Sequence, residues 1–253
     1  MSAPPLPPAF LARPLAHRGL HDRAAGVIEN SRAAVEAAIE AGYGVEMDLQ
    51  LSADGEAMVF HDDDLDRLTG ASGPLGAKTA AALGRLELAG GGEPIPTLPE
   101  ILAIAAGRAP LLIEIKDQSR AMGPLDGRLE RRAAELLAGY DGPAALMSFN
   151  PHSVAHCRDA APAVPRGRVT CAFGADDWGG VPAERRAALA RIDDLDALGC
   201  GFISHQHVDL GAAPVAAAKA RGLAVLCWTI RSRAEEEEAR RVADNITFES
   251  YRA

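Results

Sequence analysis

The chain has few aromatic side chains and a shortage of positive charge. Phe, Trp and Tyr make up 4% of its 253 residues, and 35 acidic residues against 26 Lys and Arg give a net charge of −9. Proteins that bind nucleic acids need a basic surface, and those that bind single strands commonly add aromatic stacking platforms. The composition therefore argues against a nucleic-acid partner.

The sequence also lacks paired cysteines, a leader pattern and long apolar runs. None of its four cysteines forms a CxxC pair, and each lies in or near an apolar stretch, which predicts free, mostly buried thiols in a reducing compartment. No basic segment followed by an apolar core opens the chain, and no apolar run is long enough to span a bilayer. We therefore expect no transmembrane segment and a cytoplasmic location; the sequence carries no signal for an oligomeric state.

Short apolar runs rich in Val, Ile and Leu alternate with Ala-rich stretches at helical spacing. This alternation predicts a parallel sheet with helical crossovers. The predicted strands are Pro14–Arg18, Gly44–Leu49, Ala57–His61, Pro110–Lys116, Ala144–Phe149, Arg168–Phe173, Gly201–His205, Leu223–Ile230 and Asn245–Phe248. The predicted helices are Ser31–Ala41, Leu98–Ala106, Leu129–Ala138, Pro182–Leu198, Ala213–Arg221 and Ala234–Val242.

Nine strands are one too many for an eight-stranded barrel. Asp54-Gly55 is a hairpin turn signal, so Ala57–His61 is expected to fold back antiparallel on the preceding strand. The remaining eight predict a TIM (β/α)8 barrel with a small hairpin and loop insertion after the second strand, the loop being Gly70–Pro96. We expect one barrel domain over residues 1–253, beginning with a short Pro-rich segment, 1–13. An open doubly wound sheet is the alternative, but no GxGxxG follows the first strand.

Charged residues gather toward the ends of these strands, where barrel enzymes have their active sites. Glu46 and Asp48 are two apart, as are Glu114 and Lys116, so each pair faces one side of its strand. Three converging carboxylates repel one another unless a cation lies among them, and an oxygen-ligated divalent ion, Mg²⁺ or Ca²⁺, meets that need. A buried salt-bridge cluster with Arg18 and Lys116 explains the pattern equally well.

Two histidines lie at the same predicted rim. His17 ends the first strand, and the hairpin returns His61 to the level of the carboxylates. Because imidazoles titrate near neutral pH, a pair of them can divide the general acid and general base duties of one reaction. Arg18 and Lys116 add positive charge at which an anionic group such as a phosphate can bind.

The order of these motifs resembles that of the glycerophosphodiester phosphodiesterase family from about Leu15 to about Phe248. Each motif alone is weak, but the ordered set is highly specific. The motifs are Ala16-His17-Arg18-Gly19, Glu29-Asn30-Ser31, Val45-Glu46-Met47-Asp48, Asp54-Gly55, His61-Asp62 followed by Leu65, Arg67, Thr69 and Gly70, then Ile95-Pro96-Thr97-Leu98, Ile113-Glu114-Ile115-Lys116, Ser148-Phe149 and Trp228-Thr229.

The resemblance implies a role for each candidate residue. His17 and His61 would be the catalytic acid–base pair, and Glu46, Asp48 and Glu114 would hold one divalent cation, Mg²⁺ or Ca²⁺. The substrate-binding residues would be Arg18 and Lys116 at the phosphate, Trp228 in the glycerol pocket, and Glu29 close to the histidines or the metal. The implied reaction is hydrolysis of a small glycerophosphodiester to sn-glycerol 3-phosphate and an alcohol.

One segment departs from the family pattern and keeps other functions open. The C-terminal Asp244–Glu249 replaces the family's usual ending, which bears on substrate preference more than on activity. A lysophospholipid as substrate is one alternative, and a catalytically silent barrel that binds a phosphate-bearing metabolite is another. A further alternative is an enzyme with this scaffold and a different substrate, which the fold alone does not exclude.

Overall fold

The computed structural model describes residues 4–253, in which eight parallel strands close into a barrel. The first strand, β1, pairs with both the second and the last, because Leu15 lies beside Gly44 and beside Thr247. This closure confirms the predicted TIM barrel. The strands are β1 (Leu15–Ala16), β2 (Gly44–Leu51), β3 (Ala57–Val59), β4 (Leu111–Ile115), β5 (Ala144–Ser148), β6 (Arg166–Thr170), β7 (Phe202–Gln206), β8 (Ala224–Ile230) and β9 (Asn245–Phe248), of which β3 lies outside the barrel.

Strand β3 returns antiparallel along the extension of β2, as the Asp54-Gly55 turn predicts. Leu49 pairs with Val59 and Leu51 with Ala57. Gly55 has a φ of 90°, a conformation that glycine adopts without steric cost. The hairpin places the residues that follow Val59 beside the C-terminal end of β2, where the candidate carboxylates lie.

Helices connect the strands and cover the outside of the barrel. Ser31 is the N-cap of the second helix, since its hydroxyl accepts a hydrogen bond from the backbone N–H of Ala34 at 3.0 Å. The helices are α1 (Ala9–Ala12), α2 (Arg32–Glu40), α3 (Ala80–Leu83), α4 (Leu98–Ala105), α5 (Arg128–Leu137), α6 (Pro151–Ala160), α7 (Ala175–Trp178), α8 (Ala183–Ala190), α9 (Leu195–Leu198), α10 (Ala213–Ala220) and α11 (Arg233–Ala239). None of the helices in residues 4–253 combines the length and apolar character needed to cross a membrane.

One helix prediction was wrong, and the ten-residue helix α6 was missed. The continuous helix expected over Pro182–Leu198 is two helices, because the chain takes a left-handed turn at Ile192, with φ of 50°. Helix α6 was not predicted, although Asn150 at its N-cap and Pro151 at its first position are both helix-start signals.

The segment Gly70–Pro96 packs around a small apolar core of its own. Leu75, Leu83 and Leu88 are buried there against Phe60 and Leu65 from the chain that follows the hairpin. It is therefore a compact insertion beside the rim of the barrel, and the sequence shows no aromatic residue within it.

The Pro-rich N-terminal segment fills the opposite end of the barrel from the charged residues. Its first three residues lie outside the described part of the chain, but Phe10 is fully buried against Leu112 and Phe202 in the barrel interior. The side-chain amide of Asn245, at the start of β9, donates to the carbonyls of Phe10 and Arg13 at 2.7 and 2.6 Å. The N-terminal end of the barrel is thus closed by apolar packing.

Candidate active site

Three carboxylates meet at the C-terminal ends of β2 and β4. Glu46 and Asp48 face the barrel interior from β2, and strand pairing places Glu114 of β4 directly beside Asp48. One oxygen from each of the three lies within 4.8 Å of the other two, and all three residues are buried. The structure therefore brings together the three predicted metal ligands.

Two cations accompany these carboxylates. Lys116 Nζ lies 2.9 Å from a Glu114 oxygen and 3.6 Å from Asp48 Oδ1. Arg18 Nε lies 3.5 Å from Asp48 Oδ2, and the backbone N–H of Arg18 donates to Glu46 Oε2 at 2.9 Å. Both residues predicted to bind phosphate thus touch the carboxylate cluster.

A sharp turn directly after β1 brings Arg18 to this position. Arg18 has a φ of 54° and Gly19 a φ of 78°. A Cβ atom on Gly19 would lie 2.7 Å from the backbone carbon of Ala34, so helix α2 packs too closely for any side chain there. The glycine of the His17-Arg18-Gly19 motif is therefore fixed by packing against α2.

Charge is unevenly distributed over the carboxylates. Burial, together with the neighbouring charges of Asp48 and Glu114, raises the pKa of Glu46 well above its ordinary value. Burial also opposes ionisation of Asp48, but electrostatic interactions with Lys116, His61 and Arg18 outweigh it and hold the pKa of Asp48 below its usual range. When all three carboxylates are ionised, the two cations Arg18 and Lys116 leave one negative charge of the cluster uncompensated.

An amide at the start of α2 fixes the orientation of Asp48. The Asn30 side chain donates to Asp48 Oδ2 at 2.9 Å and accepts from the Asp48 backbone N–H at 3.2 Å. Asn30 belongs to the Glu29-Asn30-Ser31 motif, but its role as a partner of Asp48 was not predicted.

His17 lies deep in the site and contacts a residue near the end of the chain. Its Nδ1 is 2.6 Å from Glu249 Oε2, and its Nε2 is 3.9 Å from Glu46 Oε2. Burial lowers the pKa of His17 more than its bond to Glu249 raises it. Glu249 was missed by the sequence analysis, although it is the first residue after β9 and thus at the same rim.

His61 lies nearer to solvent and is held by its neighbour in sequence. Its Nδ1 is 2.6 Å from Asp62 Oδ1, and Arg67 binds Asp62 through two further contacts of 2.6 and 3.0 Å. Each of the two histidines therefore has one ring nitrogen held by a carboxylate.

Glu29 joins the two cationic groups on this side of the site. It accepts two hydrogen bonds from Arg67, both at 2.8 Å, and one from Arg18 at 2.6 Å. Burial raises the pKa of Glu29, but the bonds from Arg67 and Arg18 dominate and lower it to about 2. Through Asp62, Arg67 and Glu29, a continuous chain of hydrogen bonds runs from His61 to Arg18.

The site opens into a cleft of about 510 Å³. His61, Glu114, Lys116 and Trp228 line this cleft, and the Trp228 indole donates to the backbone carbonyl of Ser204 at 3.0 Å. His17 instead lines a smaller, deeper cavity that Glu46, Glu114 and Trp228 also border. Trp228 therefore lines both the cleft that contains His61 and the cavity that contains His17.

Comparison with known proteins identifies the family. The profile of the Glycerophosphoryl diester phosphodiesterase family matches residues 17–245. The chain is 28% identical over 228 residues to YhdW of Bacillus subtilis, which is named as a candidate glycerophosphodiester phosphodiesterase, and the match covers 87% of this chain and 86% of that protein. It is 32% identical over 157 residues to a glycerophosphodiester phosphodiesterase of Caldanaerobacter subterraneus, covering 58% of this chain and 62% of that protein.

Solved structures share the same architecture. A phosphodiesterase from Oleispira antarctica, in complex with the product sn-glycerol-3-phosphate, superposes with a TM-score of 0.77 and is 26% identical, covering 96% of this chain and 94% of that one. A glycerophosphodiester phosphodiesterase from Parabacteroides distasonis, 24% identical with a TM-score of 0.71, covers 92% and 91% and shows the same fold. The family consists of phosphoric diester hydrolases, and the present chain belongs to the glycerophosphoryl diester phosphodiesterase family.

Proposed function

We propose that this protein hydrolyses glycerophosphodiesters to sn-glycerol 3-phosphate and an alcohol, using one divalent cation and two histidines. The observation that carries the proposal is the arrangement at the rim, where His17 and His61 flank a buried cluster of three carboxylates. The bound product of the Oleispira antarctica phosphodiesterase supports the same product here.

Glu46, Asp48 and Glu114 would hold the cation, which we propose to be Mg²⁺ or Ca²⁺. The donors are carboxylate oxygens alone, the type that these ions prefer. The raised pKa of Glu46 reflects its burial and the repulsion from Asp48 and Glu114, and a divalent ion would relieve the repulsion. When bound, the ion supplies positive charge to the phosphodiester oxygens and polarises the phosphorus centre toward attack.

Arg18 and Lys116 would bind the phosphate oxygens. Both carry permanent positive charge, and the contacts to Glu29 and Glu114 fix their positions before substrate enters. Such preorganised charge stabilises a transition state without the cost of reorganising the site during the reaction. Glu29 would act through Arg18, and Trp228 would line the space for the glycerol group.

The two histidines would move the protons. His17, in the deeper cavity, would accept the proton from the nucleophilic oxygen, which belongs to a water molecule or to the neighbouring glycerol hydroxyl. As the new P–O bond forms, the P–O bond to the alcohol breaks, and His61 at the wide cleft would donate a proton to the departing oxygen. Attack by water gives glycerol 3-phosphate directly. Attack by the glycerol hydroxyl gives a cyclic phosphate, which water would open in a second step in which the two histidines exchange roles. Glu249 and Asp62 would hold the two rings in position.

The test measures release of glycerol 3-phosphate from glycerophosphocholine in EDTA, Mg²⁺ and Ca²⁺. We expect EDTA to abolish release, one metal to restore it, and His17→Ala and His61→Ala each to lower kcat by about 10²–10⁴-fold. Retained activity in both variants would refute the histidine mechanism. Choline release from a monoacyl substrate alone would indicate a lysophospholipase D, and metal-dependent binding without turnover would indicate a silent barrel.

We also infer a cytoplasmic location from the cysteines. All four are buried and unpaired, and burial raises the pKa of each thiol. Inert buried thiols of this kind are typical of proteins from reducing compartments.

A further inference from the structure

The wall of the cleft beyond Glu114 and Lys116 is aromatic. The chain has only two tryptophans, and both, Trp178 and Trp228, line this cleft together with Phe149. The Phe149 ring centroid lies 5.0 Å from that of Trp178 and 5.5 Å from that of Trp228. All three side chains are partly exposed, although the rest of this chain is poor in aromatic residues. We call these three residues the aromatic wall.

A free carboxylate borders the aromatic wall. Asp177, next to Trp178 on helix α7, is exposed and lines the cleft. Among residues 4–253, no Lys, Arg or His nitrogen lies within 4.0 Å of its carboxylate. Asp117, another acid of the cleft, instead accepts hydrogen bonds from the Asn150 amide at 2.7 Å and from the Met122 backbone at 2.8 Å. Asp177 is therefore the carboxylate at the wall that remains available to a ligand.

We propose that Phe149, Trp178 and Asp177 form the subsite for the departing alcohol, with Trp228 at its border with the glycerol group, and that this subsite selects an alcohol with a quaternary ammonium group, such as choline. The inference rests on the proposed hydrolysis, because it concerns the alcohol side of the same site. Aromatic faces attract a cation through their quadrupole and contact its methyl groups without hydrogen bonds. A neutral polyol of similar size gains neither contact from these rings.

The position of the aromatic wall agrees with the proposed roles of the two histidines. His61, the proposed proton donor to the departing oxygen, lines the same cleft as Trp178 and Asp177, whereas His17 lines the deeper cavity. Trp228 borders both spaces. An ammonium group two carbons from the departing oxygen would therefore lie on the side of His61, toward the aromatic wall.

Arg120 is a second positive charge in the same cleft, in addition to Lys116. It is exposed and lines the cleft, so it weakens binding of a cation that Asp177 strengthens. Replacing one or the other therefore shifts the preference in opposite directions, which separates an electrostatic effect from a general disturbance of the cleft.

The first experiment measures binding without catalysis. Choline chloride is titrated into the intact, EDTA-treated protein, and tryptophan fluorescence is followed, with NaCl and the uncharged isostere 3,3-dimethyl-1-butanol as controls. We expect saturable quenching by choline, little by either control, and affinity lowered about tenfold by Trp178→Leu but largely kept by Trp178→Phe. Equal binding of choline and its uncharged isostere would overturn the proposal.

The second experiment measures selectivity as the ratio of kcat/KM for glycerophosphocholine to that for glycerophosphoglycerol. We expect Trp178→Leu to lower this ratio about tenfold and Asp177→Asn to lower it about two- to fivefold. Arg120→Gln is expected to raise the ratio. Asp176→Asn is the matched control, because Asp176 is exposed on the same helix and is not among the described residues that line the cleft.

The outcomes separate this inference from the proposed function. If both substrates are hydrolysed and the ratio is unchanged in Trp178→Leu and Asp177→Asn, the subsite is wrong and the proposed function stands. If neither substrate is hydrolysed but choline still quenches the fluorescence in the wild type and less in Trp178→Leu, the subsite stands and the proposed function fails. Because Asp177 is exposed, Asp177→Asn keeps the test valid even if a Trp178 variant does not fold.

Discussion

The two ends of the barrel interior differ sharply, although the same strands build both. On β4, Leu112 and Glu114 face the same way two residues apart, yet Leu112 packs against Phe10 in a fully apolar cluster and Glu114 joins a group of like charges. Apolar burial stabilises a fold, whereas converging buried carboxylates oppose it. One end of the barrel therefore supplies the stability with which the other end holds a strained charge arrangement.

The largest expected effect is at the apolar end. Phe10→Ala should lower the free energy of unfolding by about 3–5 kcal/mol, because it removes a fully buried ring, while kcat of the folded fraction stays near the wild-type value. Urea denaturation and an activity assay measure the two quantities, and Phe10→Leu serves as the milder control. A large fall in kcat with unchanged stability would show that the two ends are not separable in this way.

At the charged end of the barrel, a substitution should lower activity without lowering stability. Glu46→Gln should lower kcat/KM by about 10³-fold, since it removes a proposed metal ligand. Its stability in EDTA should equal or exceed that of the wild type. Folding raises the pKa of Glu46 above its ordinary 4.5, so the stability of the wild type is lost as pH rises through the folded value, and the neutral glutamine removes that loss.

The stabilising effect of Glu46→Gln should therefore be absent near pH 4 and grow toward pH 8, as thermal or urea unfolding in EDTA would reveal. A variant less stable than the wild type at every pH would contradict the repulsion inferred for this cluster.

A smaller loss of activity is expected from the residue that holds His17. Glu249→Gln should lower kcat by about 10²-fold through misplacement of the imidazole, with KM nearly unchanged. Glu249→Asp should recover part of the rate, because a carboxylate is restored on a shorter side chain. If kcat/KM falls equally in both variants and the fall comes from a higher KM, Glu249 would instead take part in substrate binding.

The smallest effect concerns Glu29 and has the reverse pH dependence to that of Glu46. Folding lowers the pKa of Glu29 from 4.5 to about 2, so its contribution is present above pH 4.5 and lost as pH falls toward 2. Glu29→Gln should cost about 1–2 kcal/mol at pH 7, discounted because Arg67 is partly exposed. The cost should vanish near pH 2, as unfolding measured across this range would test. A cost that stays constant with pH would exclude an ion-pair origin.

Local patterns carried most of the fold prediction. The Asp54-Gly55 turn separated the hairpin strand from the eight barrel strands, and the two-residue spacing of Glu46 and Asp48 placed both carboxylates on one face. These predictions succeeded because strand alternation and turn geometry act over a few residues. Helix α6 is the exception, because it was not predicted although Asn150 and Pro151 are helix-start signals.

Contacts that depend on closure of the barrel could not be predicted from the sequence. Glu249 is 232 residues from His17 along the chain, and they meet only because β9 pairs with β1. The bonds of Asn30 to Asp48 and of Arg67 to Glu29 likewise join separate segments. No local periodicity encodes such distances, so the candidate residues were predictable while the partners that orient them were not.

The pairing of β1 with β9 has a consequence for biosynthesis. Strand β1 is synthesised before the other barrel strands, yet one of its two neighbours, β9, is synthesised after all of them. Until residues 245–249 have emerged, β1 has an open edge and the His17 ring has no carboxylate to orient it. Activity should therefore appear only once β9 has paired with β1 and Glu249 has reached His17.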